Sequence, residues 1–277
     1  METALVLGAG GLTGIAWHLG IIIGLRESGV DLTSAGLTVG TSAGAIAGAL
    51  LATGADPVEA ARIEARLDDA DPPFQPDWAR GTQVFALLND ESRDPAAVRA
   101  AVGELALASE VVEEEPFVAT IARRVPLTGW PERPLLITAV DAADGRPIAW
   151  DRASGVPLDR AVAASCAVPA IFPPVTVNGG RYMDGGVRSG TNADLAAAAG
   201  RIVVLAPLAP IRGRGAPAAE IDALRRRARV ALVAPDEEAL RALGSNVFDT
   251  TRWEPVIEAA TAQGHRIAPE VATVWHD

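Results

Sequence analysis

A short apolar strand that passes through glycine into a serine, then straight into an apolar helix, leaves a chain few ways to fold. Gly36 to Val39 reads as such a strand and Ala43 to Ala52 as such a helix, with Gly40-Thr-Ser-Ala-Gly44 joining them. A turn this tight has no room for large side chains at its flanks, and small residues stand there. It lifts the Ser42 hydroxyl above the end of the strand and aims the helix N-terminus at it, which is the arrangement of a nucleophile elbow.

The rest of the chain alternates in the same way. Ala4 to Leu7 reads as a strand, followed by Gly8-Ala-Gly-Gly-Leu-Thr-Gly14 and a helix from about Gly14 to Glu27, which Gly29 ends. Asp56-Pro57 opens a charged amphipathic helix to about Asp69. Asp71 to Asp94 is the least regular stretch, with breakers at Pro72, Pro73, Pro76 and Gly81 and aromatics at Phe74, Trp78 and Phe85. Helices are expected over Pro95 to Leu107, Pro116 to Arg124 and Leu158 to Ser165. Leu135 to Val140 reads as a buried strand pairing with Pro147 to Trp150 across Asp144-Gly145. Val175 to Val177 and Arg181 to Met183 flank Asn178-Gly179-Gly180 as a hairpin, and Ile202 to Ala206 is a further strand. Ala216 to Gln263 reads as mostly helical, and Gly213-Arg-Gly215 as a loop. Strands alternating with helices predict one α/β domain, a three-layer sandwich around a mainly parallel sheet. Its core spans residues 4–206, and residues 207–277 form a C-terminal helical part of the same domain.

Composition narrows the functions open to such a fold. The 277 residues are 49% hydrophobic, enough for a large core, and carry a net charge of −11. An acidic chain offers no basic field for nucleic acid. It is compatible with transient contact at a membrane surface but not with a polybasic anchor. All 24 basic residues are arginine. A single cysteine, Cys166, excludes an internal disulfide and a cysteine zinc site. The apolar run Ile15 to Leu25 is interrupted by His18 and is too short to span a bilayer. No basic and apolar leader precedes the first strand, so a cytoplasmic protein is expected.

The glycine loop after the first strand has two readings. Strand, glycines, helix is also a dinucleotide signature, but the register fails. Counted from Gly8, the sixth position is Thr13, and the next strand ends in Gly40-Thr41-Ser42 rather than in an acidic residue. Beside a serine elbow, the loop instead offers backbone N–H groups to the oxyanion that develops in acyl transfer, each worth about 3 kcal/mol. A serine nucleophile also needs a base. The three histidines, His18, His265 and His276, have no clear claim to that role. Asp184-Gly-Gly186 after a strand supplies a carboxylate that can serve, although such a tripeptide is often only a turn.

Taken together, these blocks resemble the patatin-like phospholipase family. Ala9-Gly-Gly-Leu-Thr-Gly14 is similar to its oxyanion loop, Gly40-Thr-Ser-Ala-Gly44 to its serine elbow, and Asp184-Gly-Gly186 to its aspartate motif. Leu136-Ile-Thr-Ala-Val-Asp141, the stretch Ala164 to Val175 and His18-Leu-Gly20 also resemble family blocks, in family order. The resemblance implies a Ser42–Asp184 dyad, with oxyanion N–H groups from Gly10, Gly11 and Ala43, and motif glycines at Gly40, Gly44, Gly185 and Gly186. It implies hydrolysis of phospholipid, lysophospholipid or glyceride esters without metal or cofactor. Many members have arginine at the position of Thr13 and glycine at that of Ala9, which shifts the expectation toward neutral or lyso substrates. The irregular stretch 71–94 is the candidate lid. A thioesterase or acyltransferase would carry the same elbow, and a lipid-binding relative without activity is the remaining alternative.

Overall fold

The computed structural model describes residues 2–67, 76–126, 129–209 and 218–276. Among them lie eight strands of one sheet: β1 (Thr3–Leu7), β2 (Leu37–Gly40), β3 (Leu135–Asp141), β4 (Pro147–Trp150), β5 (Val175–Val177), β6 (Gly180–Asp184), β7 (Arg201–Leu205) and β8 (Arg229–Val233). The strand order is β5-β6-β3-β2-β1-β7-β8, with β4 also on β3. Strands β3, β2, β1, β7 and β8 run parallel, while β4, β5 and β6 form antiparallel pairs at the β3 end. The fold is the expected α/β sandwich around a mainly parallel sheet.

The helices are α1 (Gly11–Glu27), α2 (Ala43–Ala52), α3 (Pro57–Leu67), α4 (Trp78–Leu88), α5 (Pro95–Ala108), α6 (Glu114–Arg124), α7 (Leu158–Ser165), α8 (Ala218–Arg225), α9 (Glu237–Leu243) and α10 (Trp253–Trp275). The two-residue period of the strands sorts them into layers. Leu5 and Leu7 of β1 face a large core with α1, α2 and α10, whereas Ala4 and Val6 face the opposite side, with α8. Helix α1 is apolar on every side and buried from Thr13 to Leu25, as a helix surrounded by α10, α2 and α3 must be.

Two stretches depart from the sequence reading. Strand β8 lies inside the segment expected to be helical and pairs in parallel with β7 along its whole length. Its alternation of partly exposed and buried residues and its valines fit an edge strand, which the surrounding arginines disguise. The irregular stretch contains α4, which Asp77 caps by accepting from the Arg80 N–H at 3.0 Å. Phe74 and the loop Gly213-Arg-Gly215 lie outside the described residues.

The pairings of β3 position the site. Ile137 pairs with both Gly40 and Trp150, and Ala139 with both Asp184 and Ile148. Strand β4 therefore holds one edge of β3, and β2 and β6 share the other. They run toward each other and stop at Gly40 and Asp184, on either side of Thr138.

Helices α3 and α6 are joined by a buried ion pair, Arg124 Nη1 to Glu64 Oε2 at 2.7 Å, with the side chains 2% and 0% exposed. Removing one partner strands a charge, which costs about 3–5 kcal/mol. Arg124→Met should lower the urea midpoint accordingly, and adding Glu64→Leu should recover most of the loss. A double variant as unstable as the single one would refute this account.

Candidate active site

Ser42 sits between β2 and α2 with φ +54° and ψ −119°, a backbone conformation that costs a non-glycine residue about 1–3 kcal/mol. Its surroundings hold it there. The Ser42 N–H donates to Ser165 Oγ at 2.9 Å, and the Cys166 thiol donates to the Ser42 carbonyl at 3.4 Å. Burial, and then the charge of Asp184, push the Cys166 thiol well above its ordinary pKa, so it stays a donor. Thr41 N–H donates to Leu7 O of the neighbouring β1. The motif glycines serve close packing. A Cβ at Gly44 would lie 1.9 Å from Leu7 O, and one at Gly40 would lie 2.7 Å from Ala45 Cα.

The glycine loop lies alongside, where β1 leads into α1. Gly8 N–H donates to Leu205 O at 2.9 Å, and Ala9 N–H to Gly190 O at 2.8 Å. Gly11 has φ +64°, and a Cβ there would meet Val247 O at 2.6 Å, so this position requires glycine. The N–H groups of Gly10, Gly11 and Ala43 make no hydrogen bond to the described residues. They stand at the N-termini of α1 and α2, where helix dipoles favour negative charge. Thr13, by contrast, is buried against the Val247 carbonyl.

Asp184 ends β6 and is 4% exposed. Its Oδ1 accepts from the Gly186 N–H at 2.6 Å, and its own N–H donates to Ala167 O. A Cβ at Gly185 would lie 2.2 Å from Thr138 Oγ1, and one at Gly186 would lie 2.9 Å from Asp184 Oδ1. Gly185 thus brings the turn against β3, and Gly186 leaves room for the Asp184 carboxylate.

Gly10, Gly11, Ser42 and Asp184 open on one cavity of about 420 Å³. Its walls are largely apolar, from Val84, Phe85 and Leu88 of α4, from Val168 and Ile171 after α7, and from Phe248. Trp78 and Phe85 stand at the opening and remain 69% and 55% exposed. Val247 and Phe248 were not legible as site residues. They enter from the far end of the chain, where Phe248 meets Phe172 edge-on at 5.9 Å, a contact with no local sequence signature.

None of the three histidines lines this cavity. His265 pairs with Glu27 at 2.7 Å on the surface. His18 is fully buried in α1, where its Nε2–H donates to the Gly8 carbonyl at 2.8 Å and its Nδ1 has no partner among the described residues. Burial lowers its pKa to about 4, so the ring is neutral at pH 7. Among the described residues there is no acidic, histidine or cysteine cluster able to hold a metal ion, and no helix is long and apolar enough to cross a membrane.

The patatin-like phospholipase family matches residues 5–197, and the chain belongs to that family. It is 30% identical over 203 residues to uncharacterised NTE family proteins of Mycobacterium tuberculosis and Mycobacterium bovis. That match covers 70% of this chain and 47% of each relative, so the chain spans about half the length of the curated relatives it matches. Among solved structures it is similar to the type III effector ExoU (TM-score 0.44, 17% identity, covering 98% of this chain and 53% of that one). It is also similar to VipD from Legionella pneumophila (TM-score 0.38, 17% identity, covering 74% and 49%).

The buried His18 makes stability depend on pH. Its folded pKa of about 4 lies below the 6.5 of an unfolded histidine, so the unfolded chain binds the extra proton between those values. The contribution is complete above pH 6.5, is lost as pH falls toward 4, and amounts to about 3 kcal/mol in full. The melting temperature should therefore drop from pH 7 to pH 5, before most carboxylates titrate. His18→Asn should flatten that drop, and an equal slope in variant and wild type would refute the assignment.

Proposed function

We propose that the protein is a serine acyl-ester hydrolase acting on lipid esters through a Ser42–Asp184 dyad. Membership of the patatin-like phospholipase family supports lipid hydrolysis in general. The observation that supports the finer reading is that Ser42, Asp184, Gly10 and Gly11 line one apolar cavity, the two glycine N–H groups making no hydrogen bond to the described residues. In this mechanism the acyl chain lies along Val84, Phe85 and Leu88. Ser42 Oγ attacks the ester carbonyl carbon while Asp184 takes the hydroxyl proton. The carbonyl oxygen gains the negative charge and accepts from Gly10, Gly11 and Ala43 N–H. The intermediate collapses to an acyl-Ser42 ester, and Asp184 returns its proton to the departing alcohol. Water, deprotonated by Asp184, then attacks the acyl carbon; the bond to Ser42 Oγ breaks, Asp184 returns the proton to Ser42, and the fatty acid leaves. No metal or cofactor enters these steps.

Among the described residues lining the cavity, the charged ones are Asp77 and Asp184, both carboxylates. Asp77 is tied to Arg80 at 2.6 Å. A phosphate headgroup gains no ion pair there, which favours uncharged or lyso esters. Exposed Trp78 and Phe85 at the opening suit brief contact with a lipid surface.

The deciding assay is hydrolysis of p-nitrophenyl esters of graded chain length. Ser42→Ala and Asp184→Asn should each lose at least about a thousandfold in kcat. The acidic limb of the wild-type pH–rate profile should follow a carboxylate, remaining in His18→Asn and vanishing in Asp184→Asn. Full activity in either dyad variant would overturn the reading. Trp78→Ala should raise KM for long-chain esters about tenfold and leave short-chain esters unaffected, in keeping with about 1.5 kcal/mol of lost apolar contact. Unchanged kinetics on both would remove α4 from substrate binding.

A further inference from the structure

The loop between β6 and β7 touches both halves of the site from beneath. Asn192 stands in it, 1% exposed and in the left-handed region at φ +50°. Arg188 Nη1 donates to Asn192 Oδ1 at 2.8 Å. A guanidinium can only donate, so the amide nitrogen of Asn192 must turn the other way, toward the site. There its two hydrogens are shared among Thr41 Oγ1 at 3.1 Å, Gly185 O at 3.2 Å, Ser189 O at 2.9 Å and Thr138 Oγ1 at 3.4 Å. Thr41 Oγ1, having accepted, donates to Thr138 Oγ1 at 2.9 Å, and Thr138 donates to the Gly40 carbonyl at 3.3 Å.

One directed chain of hydrogen bonds thus links the residue before Ser42 to the residue after Asp184. It fills the place where β2 and β6 stop short of each other, so no backbone ladder joins the two strands there. The loop is itself clamped from outside. Glu220 of α8 accepts from Ser189 Oγ at 2.8 Å, from Thr191 Oγ1 at 2.9 Å and from the Ala193 N–H. Asp194 pairs with Arg188 at 2.6 Å.

We propose that Asn192 is a positioning residue that holds the Ser42 elbow and the Asp184 turn in one register. The proposal rests on the Ser42–Asp184 dyad argued above. Asn192 does not line the cavity, so its effect falls on the geometry of proton transfer and not on substrate binding. A displacement of about 1 Å in such a geometry costs about a hundredfold in rate.

The test compares wild type, Ser42→Ala, Asn192→Ala and Asn192→Asp on p-nitrophenyl butyrate, with a melting curve for each. Asn192→Asp keeps the side-chain shape and the Arg188 contact but places an oxygen against the Gly185 and Ser189 carbonyls. Both Asn192 variants should lose about a hundredfold in kcat with KM within about twofold of wild type, and Asn192→Asp should melt within a few degrees of it. If Ser42→Ala is inactive while both Asn192 variants keep wild-type kcat, this proposal alone falls. Unfolding of both variants would assign Asn192 to stability alone and also overturn it. If wild type turns over no ester, or Ser42→Ala retains turnover, the dyad reading falls and takes this proposal with it.

Discussion

The site depends on two strands that approach each other along one edge of β3 and stop on either side of a single residue, Thr138. A parallel strand delivers its C-terminal end to one side of that gap and an antiparallel strand delivers its own to the other. Ser42 follows the first by two residues, and Asp184 ends the second. Both residues reach the cavity because the mainly parallel sheet carries an antiparallel hairpin at the β3 end, which points the end of β6 back toward the end of β2.

Such a junction is expensive locally. Ser42 is held at positive φ, and Thr41, Thr138 and Asn192 are polar and nearly fully buried. The cost is offset because every partner is supplied by a rigid element. Ser165 comes from α7, Leu7 O from β1, and the carbonyls of Gly185 and Ser189 from the turn after β6. Buried polar groups that are satisfied in this way specify one arrangement, since any slip leaves several of them unpaired at once. Glycine completes the fit. At Gly44 and Gly185 the backbones come closer than any side chain permits.

The sequence was most informative where chemistry and backbone geometry are written in the same few residues. The elbow at Gly40 to Gly44, the turn at Asp184 to Gly186 and the glycine loop need small residues at fixed spacing, so their positions could be read directly. The parallel strands of the centre, Ala4 to Leu7 and Leu135 to Val140, announce themselves as apolar runs. Strand β8 did not, because an edge strand is half exposed and its arginine neighbours are equally at home in a helix. Helix α4 was hidden by the breakers before it, although Asp77 was available as its cap. Val247, Phe248 and Asn192 belong to a different class. Their significance comes from what they touch across roughly fifty to more than two hundred residues of chain, and nothing in their own neighbourhood records it.

A carboxylate base gives the proposed mechanism an electrostatic economy that a histidine would not. Before reaction the negative charge rests on Asp184, whose Oδ1 accepts from the Gly186 N–H at 2.6 Å. After attack it rests on the former carbonyl oxygen, facing the N–H groups of Gly10 and Gly11. The charge of the site is the same in both states and passes from one set of fixed backbone donors to another within an apolar cavity. No ion pair has to be created, and no new charge has to be solvated. The donors are already oriented by the loop contacts to Leu205, Gly190 and Val247, so little reorganisation accompanies the transfer. The buried, neutral His18 fits the same design. Its bond to the Gly8 carbonyl steadies the glycine loop from behind, and the neutral ring brings no charge of its own to that position.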